Sequence, residues 1–313
     1  MNSFVIIERL LWGAWSGAMV GICACLLCKV KSVHPLVKTW AVRIAFVKAL
    51  LALVVVGNVS VLYRLPWLTQ EVQWLLVTAW ALGVAVVVTY AAKGYWSAHQ
   101  LQHGSAPMKE LSDQIGIPVR ACSSLPEPCI VGVIRPTILV PAGSDVDPMV
   151  LEHELAHVRH LDPAFGFIAW IIQTIFWFVP GSSRLIAEHG FAQEIWADLS
   201  ARKRLAVAPS KQARALLTAT ENGSSPTLSS CLGFRGDAAE VARRIEAMFV
   251  GGYSKVWGAL GFALTILVAL PQNLDKEPHP VLFSPDSRAV SPSRVPVIAE
   301  PVSPSRTFDR KAS

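Results

Sequence analysis

The sequence predicts a mainly α-helical membrane protein, with an α+β domain inserted between the third and fourth of four transmembrane helices. Three observations carry that expectation. Of the 313 residues, 52% are hydrophobic and 16% charged, and mean hydropathy is +0.43; a soluble domain carries roughly 25% charged residues. The apolar residues are gathered into long runs with few charges, three before residue 93 and one after residue 255. The interval of about 160 residues between the third and fourth runs is polar enough to fold in water. A net charge of +6 is a mild excess that suits basic cytoplasmic loops and gives no support to direct nucleic-acid binding.

Taken in order, the spans are Leu10 to Leu27, Ile44 to Tyr63, Val72 to Ala92 and Val256 to Leu274. Each approaches the roughly 20 apolar residues a hydrocarbon core requires. No A-x-A cleavage region follows the first run, so it reads as a retained span and not a signal peptide. Lys48 lies close enough to one end of the second to snorkel. Pro271 to Asn273 weaken the last turn of the fourth. The first loop carries Lys29, Lys31, Lys38 and Arg43 without an acid, whereas the second offers Arg64 and Glu71. Basic loops stay inside, so the domain from Lys93 onward is cytoplasmic, and the amino terminus and tail are external. The resulting organisation is residues 1–92 as a three-helix membrane region, 93–255 as the cytoplasmic domain, 256–274 as the fourth span and 275–313 as a tail. The tail is rich in Pro and Ser and repeats Val-Ser-Pro-Ser-Arg at 290–294 and 302–306, a composition expected to be extended and disordered.

Six cysteines are scattered without a disulfide framework. Cys25 and Cys28 form C-x-x-C inside an apolar run, where they read as small buried hydrophobes.

Chemistry concentrates at HELAH, His153 to His157. Residues at i and i+4 share a helix face, so two imidazoles can converge on one cation, and Glu154 stands beside the first as a candidate general base. Asp147 with Pro148 supplies a helix start, and Asp162 with Pro163 a stop. Gly at 160 and His at 163 would extend the motif to three histidines in the metzincin manner; His160 and Pro163 stand there instead. Two sources of a third ligand remain. One is Glu194, in AQEIWADLSA, with Asp198 four residues on and placed to bond the outer nitrogen of a ligand histidine. The other is His160, which spacing alone leaves open but which a helix brings onto the same ion with difficulty.

Topology favours Glu194. Ala164 to Val179 is apolar, but a single crossing there would part Glu194 from His153 and His157, and the interval has no room for two crossings. A buried or membrane-grazing helix ended by Pro180 and Gly181 keeps all three on one side.

With HELAHVRHLD (153–162), E-x-x-A-D (194–198), GVIRPTILVP (132–141) and this span layout on the page, the chain resembles the BlaR/MecR-type membrane zinc metallopeptidases, whose core is a gluzincin. The resemblance covers roughly Leu10 to Leu274. It implies Zn2+ held by His153, His157 and Glu194, Glu154 as general base and Asp198 in support. It implies a multi-pass protein of the bacterial inner membrane that cleaves a protein or peptide substrate, for example a transcriptional repressor. It also presents Gly132 to Pro141 as an edge strand beside the cleft or, equally, as a plain core strand. Where the family's sensors carry a penicillin-binding domain, only about 40 residues follow the last span here, without K-T-G, so a β-lactam receptor is not expected.

Three candidates stand for the group that stabilises the oxyanion: His189, Arg159 and Tyr253. Two rival readings stand beside the regulatory peptidase. One is a non-catalytic transducer or scaffold with a structural zinc site closed by His160, and the other an HtpX-like quality-control protease.

Overall fold

The computed structural model describes residues 3–54, 69–143, 146–221, 238–250 and 252–270. The apolar runs become helices, because a backbone without polar neighbours must satisfy its own N–H and C=O groups. Helix α1 (Ser3–Lys29) is followed after a short connection by α2 (Pro35–Val54), and the long α3 (Gln70–His103) starts at Thr69, whose hydroxyl accepts from the Val72 amide. Small residues let α1 and α2 approach closely; a Cβ on Gly17 would stand 2.7 Å from that of Ala49.

Helices α1 and α3 are long and apolar enough to cross a bilayer. On α3 only Ala98 is buried, while Leu75, Leu82 and Val86 are exposed. So broad an apolar surface is tolerated in lipid and would associate in water. Within the fourth expected span the chain forms α10 (Lys255–Ala269), shorter than a full crossing. The second half of the second expected span and the whole Pro/Ser tail, with its repeated pentads, lie outside the described residues.

A four-stranded sheet follows α3. It comprises β1 (Ala106–Pro107), β2 (Val119–Cys122), β3 (Cys129–Val131) and β4 (Thr137–Pro141), with α4 (Lys109–Ile115) between β1 and β2. The spatial order is β1-β2-β4-β3, with β2 and β4 parallel and the outer pairs antiparallel. Alternation along β4 feeds both faces. Leu139 packs with Ala98 and Leu101 of α3, while Ile138 and Val140 pack with Leu155 of the next helix.

That helix is α5 (Pro148–Arg159), followed by α6 (Asp162–Ile175), α7 (Ser182–Leu205), α8 (Pro209–Glu221) and α9 (Ala238–Met248). Phe46 of α2, Ile172 of α6, Phe176 just after α6 and Ile186 of α7 share one apolar core. The elements from α5 onward are therefore packed on the helices that precede them, and α6 leads the chain into α7, which packs back on α5.

Two expectations change. Arg43 was counted among the residues of a basic loop; it lies within α2 and is wholly buried. The segment Gly132 to Pro141 is not an edge strand. Its second half, β4, is paired on both sides, the free edge on that side of the sheet belongs to β3, and residues 132–136 turn between them. Gly132 is required there: its φ is +98°, and a Cβ would stand 2.7 Å from the Arg135 carbonyl oxygen.

Candidate metal centre

Helix α5 begins where local chemistry dictates. The Asp147 carboxylate accepts from the Met149 amide at 2.8 Å, and Pro148 occupies the first turn, where its missing N–H is not needed. Leu155 faces the sheet core, and His153 and His157, one turn apart on another face of α5, point toward Glu194 of α7. On α7, Glu194 and Asp198 are 4% and 5% exposed, one turn apart. Acids so deeply buried must be paired.

His153, His157 and Glu194 each offer a ligand atom, all within 4.8 Å of one another. The two imidazole Nε2 atoms are 3.1 Å apart, and Glu194 oxygens stand 3.4 and 3.5 Å from them. Glu194 Oε2 accepts no aligned hydrogen bond, although Arg244 Nη1 is 3.1 Å away.

What turns these nitrogens inward is their other side. His153 Nδ1 lies 3.1 Å from Asp198 Oδ1, and His157 Nδ1 lies 2.7 Å from Asp162 Oδ2. A carboxylate fixes Nδ1 as the protonated nitrogen, so both Nε2 atoms present lone pairs to each other and to Glu194. Three converging electron-rich atoms need a positive charge among them, either a proton or a metal ion. The donor set, two imidazoles and one carboxylate with the His153 side chain 15% exposed, fits a divalent ion with a free coordination position.

Each supporting acid is itself held by a buried arginine. Asp198 receives Arg244 of α9 through two bonds of 2.9 Å. Asp162 receives Arg43 of α2, which also donates to the His160 carbonyl at 2.8 Å and to His189 Nε2 at 3.4 Å. The Arg43 guanidinium lies 4.1 Å from the centre of the Phe165 ring. Leu161, at φ +62°, makes the left-handed turn that starts α6 and sets Asp162 beneath His157. Strain of this kind persists where the surroundings enforce it.

The electrostatics follow. Burial works against charge on His153, but hydrogen bonds to Asp198 and Glu194 outweigh it and push the imidazole up to about 10. His157 is also raised, against burial, by Glu194 and Asp162. Burial opposes ionisation of Glu194, yet Arg244 and the two histidines hold it well below the usual range; Asp198 and Asp162 are depressed likewise by their cationic partners. Glu154, within the motif, is raised by burial. Burial also lifts Glu127, on the β2–β3 connection, to about 6, with a further push from the Glu154 carboxylate.

His160 faces elsewhere. Its ring stacks on Trp196 at 3.5 Å, and its Nε2 meets Ser200 Oγ at 3.2 Å. Nor do the three oxyanion candidates join the cluster. His189 is held by Arg43 and Phe46, Arg159 is paired with Glu152 at 2.5 Å, and Tyr253 packs edge-on against His34. Sequence reasoning gave Arg43 no part in the site, did not single out Arg244, and took Asp162 only as a helix stop. An arginine in an apolar helix was the one available signal, because such a residue is functional by default.

A family model described as BlaR1 peptidase M56 matches residues 47–248, from within α2 to the end of α9. No curated protein matches the chain.

Proposed function

The chain belongs to the BlaR1 peptidase M56 family, and from that premise we propose that it is a zinc-dependent endopeptidase of the bacterial inner membrane, cleaving a protein substrate on the cytoplasmic side in regulatory signalling. A transcriptional repressor is the substrate class that suits this reading. The observation that carries it is the convergence of His153 Nε2, His157 Nε2 and a Glu194 oxygen within 4.8 Å.

In this reading His153, His157 and Glu194 hold Zn2+, and the core of residues 93–255 is a gluzincin. Four helices span the membrane, residues 1–92 providing three and 256–274 the fourth, with the 275–313 tail external. Bound zinc supplies Lewis acidity toward a water and the scissile carbonyl. Asp198 and Asp162 keep both Nδ1 protons in place and hence both Nε2 lone pairs inward. Glu154 takes the water proton and delivers it to the leaving amine; burial raises its proton affinity, which suits a group that must both accept and release. The non-catalytic alternative needs a fourth protein ligand, and the residue best spaced for it, His160, is stacked on Trp196.

Two variants test the assignment. Glu154→Gln is expected to keep stoichiometric zinc while new protein N-termini seen in wild-type cells disappear. Glu194→Ala is expected to lose the metal itself. Unchanged cleavage by Glu154→Gln removes that residue as the base.

A further inference from the structure

Between α1, α2, α6 and the start of α7 lies an apolar cleft of about 360 Å³. Its walls include Gly13, Gly17, Ala18 and Gly21 of α1, Phe46 of α2 and Phe176 at the end of α6. At one end the lining changes to two cations, Lys29 in the last turn of α1 and Arg184 in the first turn of α7. Among the described residues neither side chain has a hydrogen bond or an ion pair. The acid whose charge reaches this end, Glu188, is already paired with Arg243 at 3.5 Å.

From these features we infer that the cleft binds one membrane phospholipid with an anionic headgroup, its phosphate between Lys29 and Arg184 and an acyl chain laid along α1. Length supports that occupant. Gly13 to Lys29 is about 24 Å of helix, enough for the roughly 15 Å of one hydrocarbon leaflet. Charge supports it too: unpaired cations at the mouth of an apolar slot match a phosphate on an alkyl chain, the arrangement by which basic pockets between membrane helices select anionic lipid. A zwitterionic head would bring its own cation to the same place. A second copy of this chain would bring like charges. The inference goes beyond the peptidase reading and requires only that the helices lie in a bilayer.

The test uses the full chain purified in a neutral detergent and examined by native mass spectrometry with equal amounts of dioleoyl phosphatidylglycerol and dioleoyl phosphatidylcholine. Wild type is expected to prefer the anionic lipid by about thirtyfold, the difference two basic groups make between a net anionic head and one whose own choline cation neutralises the phosphate. Lys29→Gln/Arg184→Gln should bring the two lipids to near parity, whereas Lys109→Gln/Lys211→Gln, which removes as much charge from other surfaces, should keep the preference. Ala18→Trp, which fills the slot, should reduce binding of both lipids. Equal binding by wild type, a preference that survives the first double variant, or one lost in the second would overturn the proposal. Because nothing in this readout depends on proteolysis, a failed peptidase assignment leaves it standing, and the reverse.

Discussion

The two histidines of the centre are supported by chains of groups that share an order and differ in their anchors. On one side His153 leans on Asp198 and Asp198 on Arg244; on the other His157 leans on Asp162 and Asp162 on Arg43. The common order has one cause: an inward-facing imidazole needs an acceptor behind it, and a buried acceptor anion needs a cation. The anchors do different jobs. Arg244 also lies 3.1 Å from Glu194, the third member of the cluster, so the first arm sets the charge of the whole group. Arg43 makes no such contact. It is fixed by a backbone carbonyl, His189 and the Phe165 ring, and its position on α2 ties the second arm to the helices packed on α1.

Removing the arginines gives the largest expected difference. Arg244→Met leaves two nearly sealed carboxylates, Glu194 and Asp198, and should lower the stability of the metal-free protein by about 3–5 kcal/mol, the usual cost of breaking a buried pair. Arg43→Met strands one carboxylate that keeps its histidine, so the loss should fall below that range. Thermal unfolding of the full chain in detergent with a chelator present reads both. Equal losses would erase the distinction between an arm that balances charge and one that fixes position.

Replacing the acids comes next. Asp198→Asn and Asp162→Asn should each weaken metal binding, by about 10–100-fold. The first should cost more, because Arg244, freed from Asp198, can then neutralise Glu194 completely. Competition against a chromogenic chelator measures the order. A larger effect of Asp162→Asn would reverse the comparison.

Below that stands the pH dependence of the empty centre. Both ligand histidines are raised, His153 to about 10 against the opposing effect of burial. A positive charge therefore occupies the cluster as a proton at neutral pH, and an incoming ion displaces it. Affinity should rise with pH between 6 and 8, by about tenfold per unit for each proton released. A flat profile would mean that the imidazoles are already neutral without metal.

How much of this the sequence showed depends on the range of each interaction. The pairing of His153 with His157 and the start of α5 were legible, because helical spacing and the Asp147–Pro148 cap act within a few residues. Glu194 and Asp198 were legible from their own i, i+4 spacing together with the requirement that α6 return the chain. The arginines were not, because they meet their acids across 119 and 46 residues of chain, and no local pattern reports a partner so remote. Asp162 was visible only in its helix-ending role, since its second role depends on the left-handed turn at Leu161. The fate of Gly132 to Pro141 was hidden for another reason. Apolar β-branched residues mark a strand, but which strand lies beside it is settled by where β2 and β3 arrive.

The smallest effect separates the arms by their response to acid. His189 stands only in the second arm, with Arg43 Nε 3.4 Å from its Nε2 and the Phe46 ring against it. Burial first, and then the Arg43 charge, lower it to about 3, with Asp162 pulling weakly the other way. The unfolded chain, with an ordinary histidine near 6.5, takes up this proton before the folded one does. The contribution is therefore complete above pH 6.5 and is lost as pH falls toward 3. Between pH 7 and 5.5 the cost should be about 1 kcal/mol. His189→Phe has no proton to take up, so its melting temperature should fall less than that of wild type over the same interval. If the two fall in parallel, the acid sensitivity lies outside His189, and not in His153 or His157 either, because both are raised in the folded chain and bind their protons at least as tightly there as in the unfolded one.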